Sequence, residues 1–240
     1  MNPEIQEPVP EPQSTQYAVP WKPVDNWIGV ALIVLIDAAL LVTVWLGISA
    51  QFVQSMGVIL LELVYVVPVL LIFAWRHIQL KQLGFRRFQW SELGLGCGLL
   101  IGSYMLVFLH NGILTYLGVD TQGEEVMKIF TSLESPIWFM LAAVIVAPIV
   151  EEIFFRDFLF QGFRQRYGWV AASMLSSAIF AVAHLDPVSL IPTFILGVVF
   201  SYVYHRSNSV WPGIILHFSV NAFGVTAIYA AHLMQNFIPS

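Results

Sequence analysis

An all-α, polytopic membrane helix bundle is the fold class this sequence predicts, and three observations predict it. The 240 residues are 58% hydrophobic and only 10% charged, with a mean hydropathy of +0.77, whereas soluble domains are nearer half apolar and about a quarter charged. Apolar runs long enough to cross a ~30 Å hydrocarbon layer as helices recur along the chain. The basic residues cluster between alternate runs. Together these point to about seven transmembrane helices, with any polar site enclosed by the bundle.

Residues 1–24 are rich in Pro, Gln and Glu and hold no apolar core, which predicts a disordered cytoplasmic tail and not a cleaved signal. Residues 25–240 then form one transmembrane domain. The first run, 27–50, is interrupted only by Asp37, the second, 52–75, only by Glu62, and the third, 93–119, by no charge. The connection 120–134 reads as a short exposed loop or a surface helix. The fourth run, 136–150, continues into Glu151 and Glu152 and keeps its periodicity through Phe163. Runs 167–185, 187–204 and the stretch after Arg206 complete the set.

Lys and Arg accumulate in short cytoplasmic loops. With the N-terminus inside, Lys22, Arg76, Lys81, Arg86, Arg87, Arg156, Arg164, Arg166 and Arg206 all fall on the cytoplasmic side, and only Lys128 falls outside. The expected protein is thus a multi-pass cell-membrane protein with a cytoplasmic N-terminus and an external C-terminus. A net charge of −5 with scattered basic residues excludes a nucleic-acid partner. The single cysteine, Cys97, forms no intrachain disulfide and no CxxC motif. Oligomeric state is not legible.

Ionisable side chains within spans are expensive and need a partner or a function. Here they are Asp37, Glu62, His110, Glu151, Glu152, His184, Asp186 and His217, with Asn111 and Asn221 as uncharged companions. In EEIFFR, Glu152 and Arg156 stand four residues apart, acid before base, which is the favourable order for a same-face pair. Glu151 points about 100° away and stays available. His184 closes the segment FAVAH, four residues after Phe180. Glu151 precedes Gly168 by 17 residues and His184 follows it by 16, so a hairpin turning there would bring both to the same level, roughly 25 Å from the turn. HFSVN places His217 and Asn221 at i and i+4 on one helix face. Taken singly, each feature has a plainer reading as an interfacial charge or an interhelical hydrogen bond. Converged, one carboxylate, two imidazoles and an amide make a water-activating hydrolytic site with an oxyanion pocket.

These three segments resemble the motifs EExxxR, FxxxH and HxxxN of the CPBP family of intramembrane proteases, which includes the CAAX prenyl endopeptidases and bacterial relatives linked to bacteriocin processing or self-immunity. The match in order, spacing and membrane context covers residues 136–225. Each motif alone is weak, and the combination is specific. The resemblance implies an endopeptidase acting on a membrane-associated peptide or lipidated protein, with no obligatory cofactor. It implies that Glu151 and His184 activate the hydrolytic water, that His217 and Asn221 support the oxyanion, and that Glu152, Arg156 and Phe180 play supporting parts. A zinc protease using Glu151, His184 and His217 as ligands is the runner-up. A serine hydrolase is weaker, for lack of a GxSxG elbow. An ion-coupled transporter using Asp37 and Glu62, or a non-catalytic scaffold or immunity protein, are the alternatives outside proteolysis.

Overall fold

The computed structural model describes residues 18–46, 57–133 and 135–237, and all regular structure among them is helical. Most of the expected tail, residues 1–17, lies outside the described residues, as do residues 47–56 between the first two runs. The elements are α1 (Pro23–Trp45), α2 (Gly57–Leu63), α3 (Val66–Trp75), a 3₁₀ turn (Leu80–Gln82), α4 (Trp90–Tyr116), α5 (Gln122–Ser132), α6 (Ile137–Leu141), α7 (Ala147–Glu151), α8 (Gln161–Ala183), α9 (Leu190–Ser207) and α10 (Trp211–Phe237). Two π-helical stretches, Ala142–Val146 and Glu152–Phe160, join α6 to α7 and α7 to α8. Each of the expected runs is mainly helical over its described residues. Four helical stretches are long and apolar enough to cross a membrane: Pro23–Thr43, Trp90–Tyr116, Ile137–Ala183 and Trp211–Met234.

The second run departs from the single helix its hydropathy suggests. It breaks between α2 and α3, where Val64, Tyr65 and Val67 make three-residue hydrogen bonds to Leu61, Glu62 and Val64. Pro68 is the cause, since it has no N–H and its ring crowds the carbonyl of residue 64. The exposed connection takes the surface-helix alternative. Thr121 caps α5 with a reciprocal capping box to Glu124. At its outer face Lys128 pairs with Asp120 and Glu125, which holds the Asp120 carboxyl below and the Lys128 ammonium above their ordinary values.

The hairpin expected at Gly168 is present. Gly168 sits at φ 76°, ψ 168°, a conformation that glycine alone adopts readily, and the chain doubles back there. Ser176 donates to the Phe155 carbonyl at 2.5 Å, and the Phe155 and Phe180 rings meet at 4.9 Å. Beyond the turn, α8 and α9 pack closely through small residues, with Gly197 of α9 against Ser177 of α8.

The buried centre of the molecule is the π-helical stretch. Phe154, Phe155, Phe158, Leu159, Phe160 and Phe163 are all buried around the full circumference, which marks a helix enclosed on every side. Besides the Ser176 hydroxyl, two donors from other elements make three hydrogen bonds to its carbonyls: Trp21 Nε1 bonds that of Phe158 at 3.1 Å, and Asn26 Nδ2 bonds those of Phe158 and Leu159 at 3.1 and 2.6 Å. Trp21 is buried, and Asp25 at the start of α1 is salt-bridged to Arg76 at 2.6 Å. The expected tail boundary at residue 24 is therefore corrected. The last residues of that segment are part of the packed body, because Trp21 supplies an indole ring to the Phe73 and Phe158 cluster as well as a hydrogen bond.

Removing the Asn26 amide should destabilise the bundle without touching its chemistry. Asn26→Ala is expected to cost about 1–3 kcal/mol through the lost bonds to buried carbonyls. Thermal unfolding in lipid against wild type measures it, and an unchanged midpoint would show that these bonds contribute nothing.

Candidate active site

The site begins with two adjacent glutamates at a change of helical pitch. Glu151 ends α7 and Glu152 opens the long π stretch. Glu152 lies 3.0 Å from the Arg156 guanidinium, and both side chains have no exposure at all. The expected i, i+4 pair thus forms. The Arg156 nitrogens make no further hydrogen bond among the described residues; instead the guanidinium lies over the rings of Phe180 at 4.1 Å, Phe200 at 5.2 Å and Phe155 at 5.8 Å. Ring faces are electron-rich and attract a desolvated cation.

Glu152 has a second partner that adjacency in sequence does not suggest. Its Oε1 lies 3.2 Å from His217 Nδ1, while His217 Nε2 faces Glu151 Oε2 at 3.6 Å. The ring is held between the two carboxylates, stacked on Phe200 at 4.9 Å and edge-on to Phe180 at 5.9 Å. The gap to Glu151 is too long for a direct hydrogen bond and suits one bridging water. Gly213, one turn before His217, makes this possible. A Cβ there would stand 2.5 Å from Glu152 Oε2.

His184 ends α8, where Leu185 takes a left-handed conformation with φ 52°. Its Nδ1 bonds the Phe180 carbonyl at 2.8 Å and its ring meets Phe180 edge-on at 4.8 Å. An Nδ1–H committed to a carbonyl leaves Nε2 with a lone pair. Glu151 and His184 line the same cavity.

Asn221 is placed differently from the expectation. Its Nδ2 donates to the Ala143 carbonyl at 2.8 Å. In the stretch Ala142–Val146 the Ala147 N–H bonds the Ala142 carbonyl five residues back, and the next donor in that series would be the N–H of residue 148. Pro148 has none. Asn221 thus fills the bond that Pro148 leaves open, and one amide hydrogen is spent on holding the helix that carries Glu151.

Glu151, His184, His217, Asn221 and Phe180 all line one cavity of about 420 Å³, within the usual size range for a ligand site. Glu152 and Arg156 stand behind it. The remaining wall comes from Glu62 of α2, from Tyr104 and Val107 of α4, and from Gln122, Gly123 and Val126 of α5. The sequence offers Glu62 only as part of an ion-coupled pathway with Asp37, and carries no signal for Gly213 beyond its place four residues before His217. Among the described residues, no three His, Cys, Asp or Glu side chains converge in a metal-ligand arrangement.

The family model for type II CAAX prenyl endopeptidase, Rce1-like, matches residues 133–223, which hold all three motifs. YdiL of Bacillus subtilis (strain 168), named as a candidate membrane peptidase, is 26% identical over 145 residues, covering 58% of this chain and 59% of that protein. The UPF0177 protein YxdF of Lactococcus lactis subsp. lactis (strain IL1403) is 34% identical over 85 residues, 35% of this chain and 46% of that one. A 24.3 kDa protein of Escherichia coli is 27% identical over 127 residues, covering 47% and 58%. The chain spans about half of the length of these curated relatives. No solved structure matches it.

Close packing at Gly213 yields a test of the carboxylate–imidazole contact. Gly213→Ala should displace Glu152 and release His217, lowering kcat by about 10-fold or more at unchanged expression. Gly98→Ala on α4, where an added methyl meets open space away from the cavity, should have little effect. Equal activity in both variants would show that the Glu152–His217 contact does not matter to turnover.

Proposed function

We propose that the chain, whose residues 133–223 match the family model for type II CAAX prenyl endopeptidase, Rce1-like, is an intramembrane endopeptidase that hydrolyses a peptide bond of a membrane-associated or lipidated substrate with glutamate-activated water. The observation that carries this reading is the placement of His217 between Glu152 and Glu151, at 3.2 and 3.6 Å, in a cavity shared with His184.

In this mechanism Glu151 takes a proton from water, and the Nε2 lone pair of His184 orients that water for attack on the substrate carbonyl. The developing oxyanion is met by His217 and Asn221. The Glu152 carboxylate at Nδ1 fixes the ring so that Nε2 is turned toward Glu151. Asn221 retains a second N–H beyond the one given to Ala143, and its bond to Ala143 keeps α7 in register with α10. Arg156, enclosed by Phe180 and Phe200, holds Glu152 in place at 3.0 Å. With the enclosed Arg156 set aside, the remaining eight-to-one division of basic residues supports a cytoplasmic N-terminus and an external C-terminus.

Purified protein in lipid, assayed on a library of membrane-anchored peptides, tests the proposal. Glu151→Gln should lower kcat by about 10²- to 10⁴-fold, the value of a positioned general base, with folding preserved because the shape is unchanged. Chelation should leave turnover intact. Glu151→Gln cleaving at the wild-type rate would overturn the mechanism. Stoichiometric zinc, with activity lost to chelator and restored by the metal, would instead make Glu151, His184 and His217 ligands.

A further inference from the structure

One carboxylate in the cavity has no part in the chemistry above. Glu62 lies on α2, far outside the segment that matches the family, and it lines the same cavity as Glu151, His184 and His217. Among the described residues no Lys, Arg or His forms an ion pair with it. An acid within a membrane span that has neither cation nor function is costly, so its retention beside the site calls for a role.

The local architecture aims it there. Pro68 breaks the span just after Glu62, and α2 packs along α7, the stretch that ends in Glu151. At the break, the Tyr65 hydroxyl reaches the Ala183 carbonyl at 3.5 Å, which ties α2 and α3 to the end of α8 next to His184. Glu62 is within electrostatic range of both Glu151 and Tyr65. The titratable groups that share the cavity with it are Glu151 from α7, His184 from the end of α8, His217 from α10 and Tyr104 from α4.

The geometry points to Glu62 as the general acid of the reaction, the group that gives a proton to the departing amine. This rests on the reading of Glu151 as the base. The steps balance. Water loses a proton to the Glu151 carboxylate as its oxygen bonds to the carbonyl carbon, and the carbonyl electron pair moves to oxygen. As the tetrahedral intermediate collapses, the C–N bond breaks, its electron pair stays on nitrogen, and that nitrogen takes the proton of the Glu62 carboxylic acid. Glu151 is then protonated and Glu62 ionised. Proton transfer from Glu151 to Glu62 across the cavity restores the starting state, with one water consumed per bond cleaved. Two interacting carboxyl groups that share one proton are suited to such an exchange.

The test uses the full-length protein in lipid, with a membrane-anchored peptide that the wild type cleaves. Glu62→Gln should lower kcat by about 10²-fold with KM changed less than 3-fold, and should abolish the alkaline decline of the pH–rate profile, because the wild type loses activity as the acid loses its proton. Glu62→Ala should be equally slow, and formate should restore its rate several-fold by supplying a small carboxylic acid to the vacated space. A merely structural glutamate predicts neither the altered profile nor the rescue. Wild-type kcat in Glu62→Gln, or a rise in KM alone, overturns the assignment of Glu62 while leaving Glu151 in place, provided that Glu151→Gln is inactive in the same assay. Wild-type turnover by Glu151→Gln overturns the reading of Glu151 and this assignment with it.

Discussion

A buried ion pair between Glu152 and Arg156 organises the rest of the structure. Both side chains are wholly enclosed, in a medium where an isolated charge costs several kcal/mol. That cost is offset only if every neighbour contributes. Arg156 takes the faces of Phe180 and Phe200, which belong to α8 and α9, and Glu152 takes His217 of α10. The support of the pair is thus spread over three other helices. The pair therefore selects one arrangement of three helices, and with it the position of His217 against Glu151.

Irregular backbone makes this arrangement possible. A regular α-helix through 142–160 would set Glu151, Glu152 and Arg156 at other angles. The π stretches widen the turn, a feature often found at functional sites, and their carbonyls take up donors from elsewhere: Ser176 at Phe155, Trp21 and Asn26 at Phe158, Asn221 at Ala143. Pro148 lies at the centre of this pattern. By withholding an N–H it leaves a carbonyl open, and Asn221 closes it from the helix that also bears His217. The amide thus has a mechanical duty as well as any part in binding an oxyanion.

Much of this was legible in the residues. Apolar runs gave the helices, Gly168 gave the hairpin, and the spacing of Glu152 and Arg156 gave their pairing, because each depends on neighbours a few residues away. The level of Glu151 and His184 followed from their depth in the hairpin, whereas the approach of HFSVN from another helix did not. What escaped notice depends on long-range contacts or on backbone pitch. Nothing local to Glu152 announces His217, which lies 65 residues further on. The burial of Trp21 depends on Phe73 and Phe158 of other helices, so a Pro-rich composition concealed it. The break before Pro68 was readable in principle, but the continuous hydropathy of the run outweighed it.

The orientation of His217 by Glu152 is the claim on which the mechanism stands. Nitrogen-15 NMR of selectively labelled histidine in lipid, with the His217 signals assigned by His217→Gln, tests it most directly. The account predicts a protonated Nδ1 with the deshielded proton of a charge-assisted hydrogen bond, lost in Glu152→Leu while the His184 signals persist. A His217 spectrum unchanged by Glu152→Leu would contradict it.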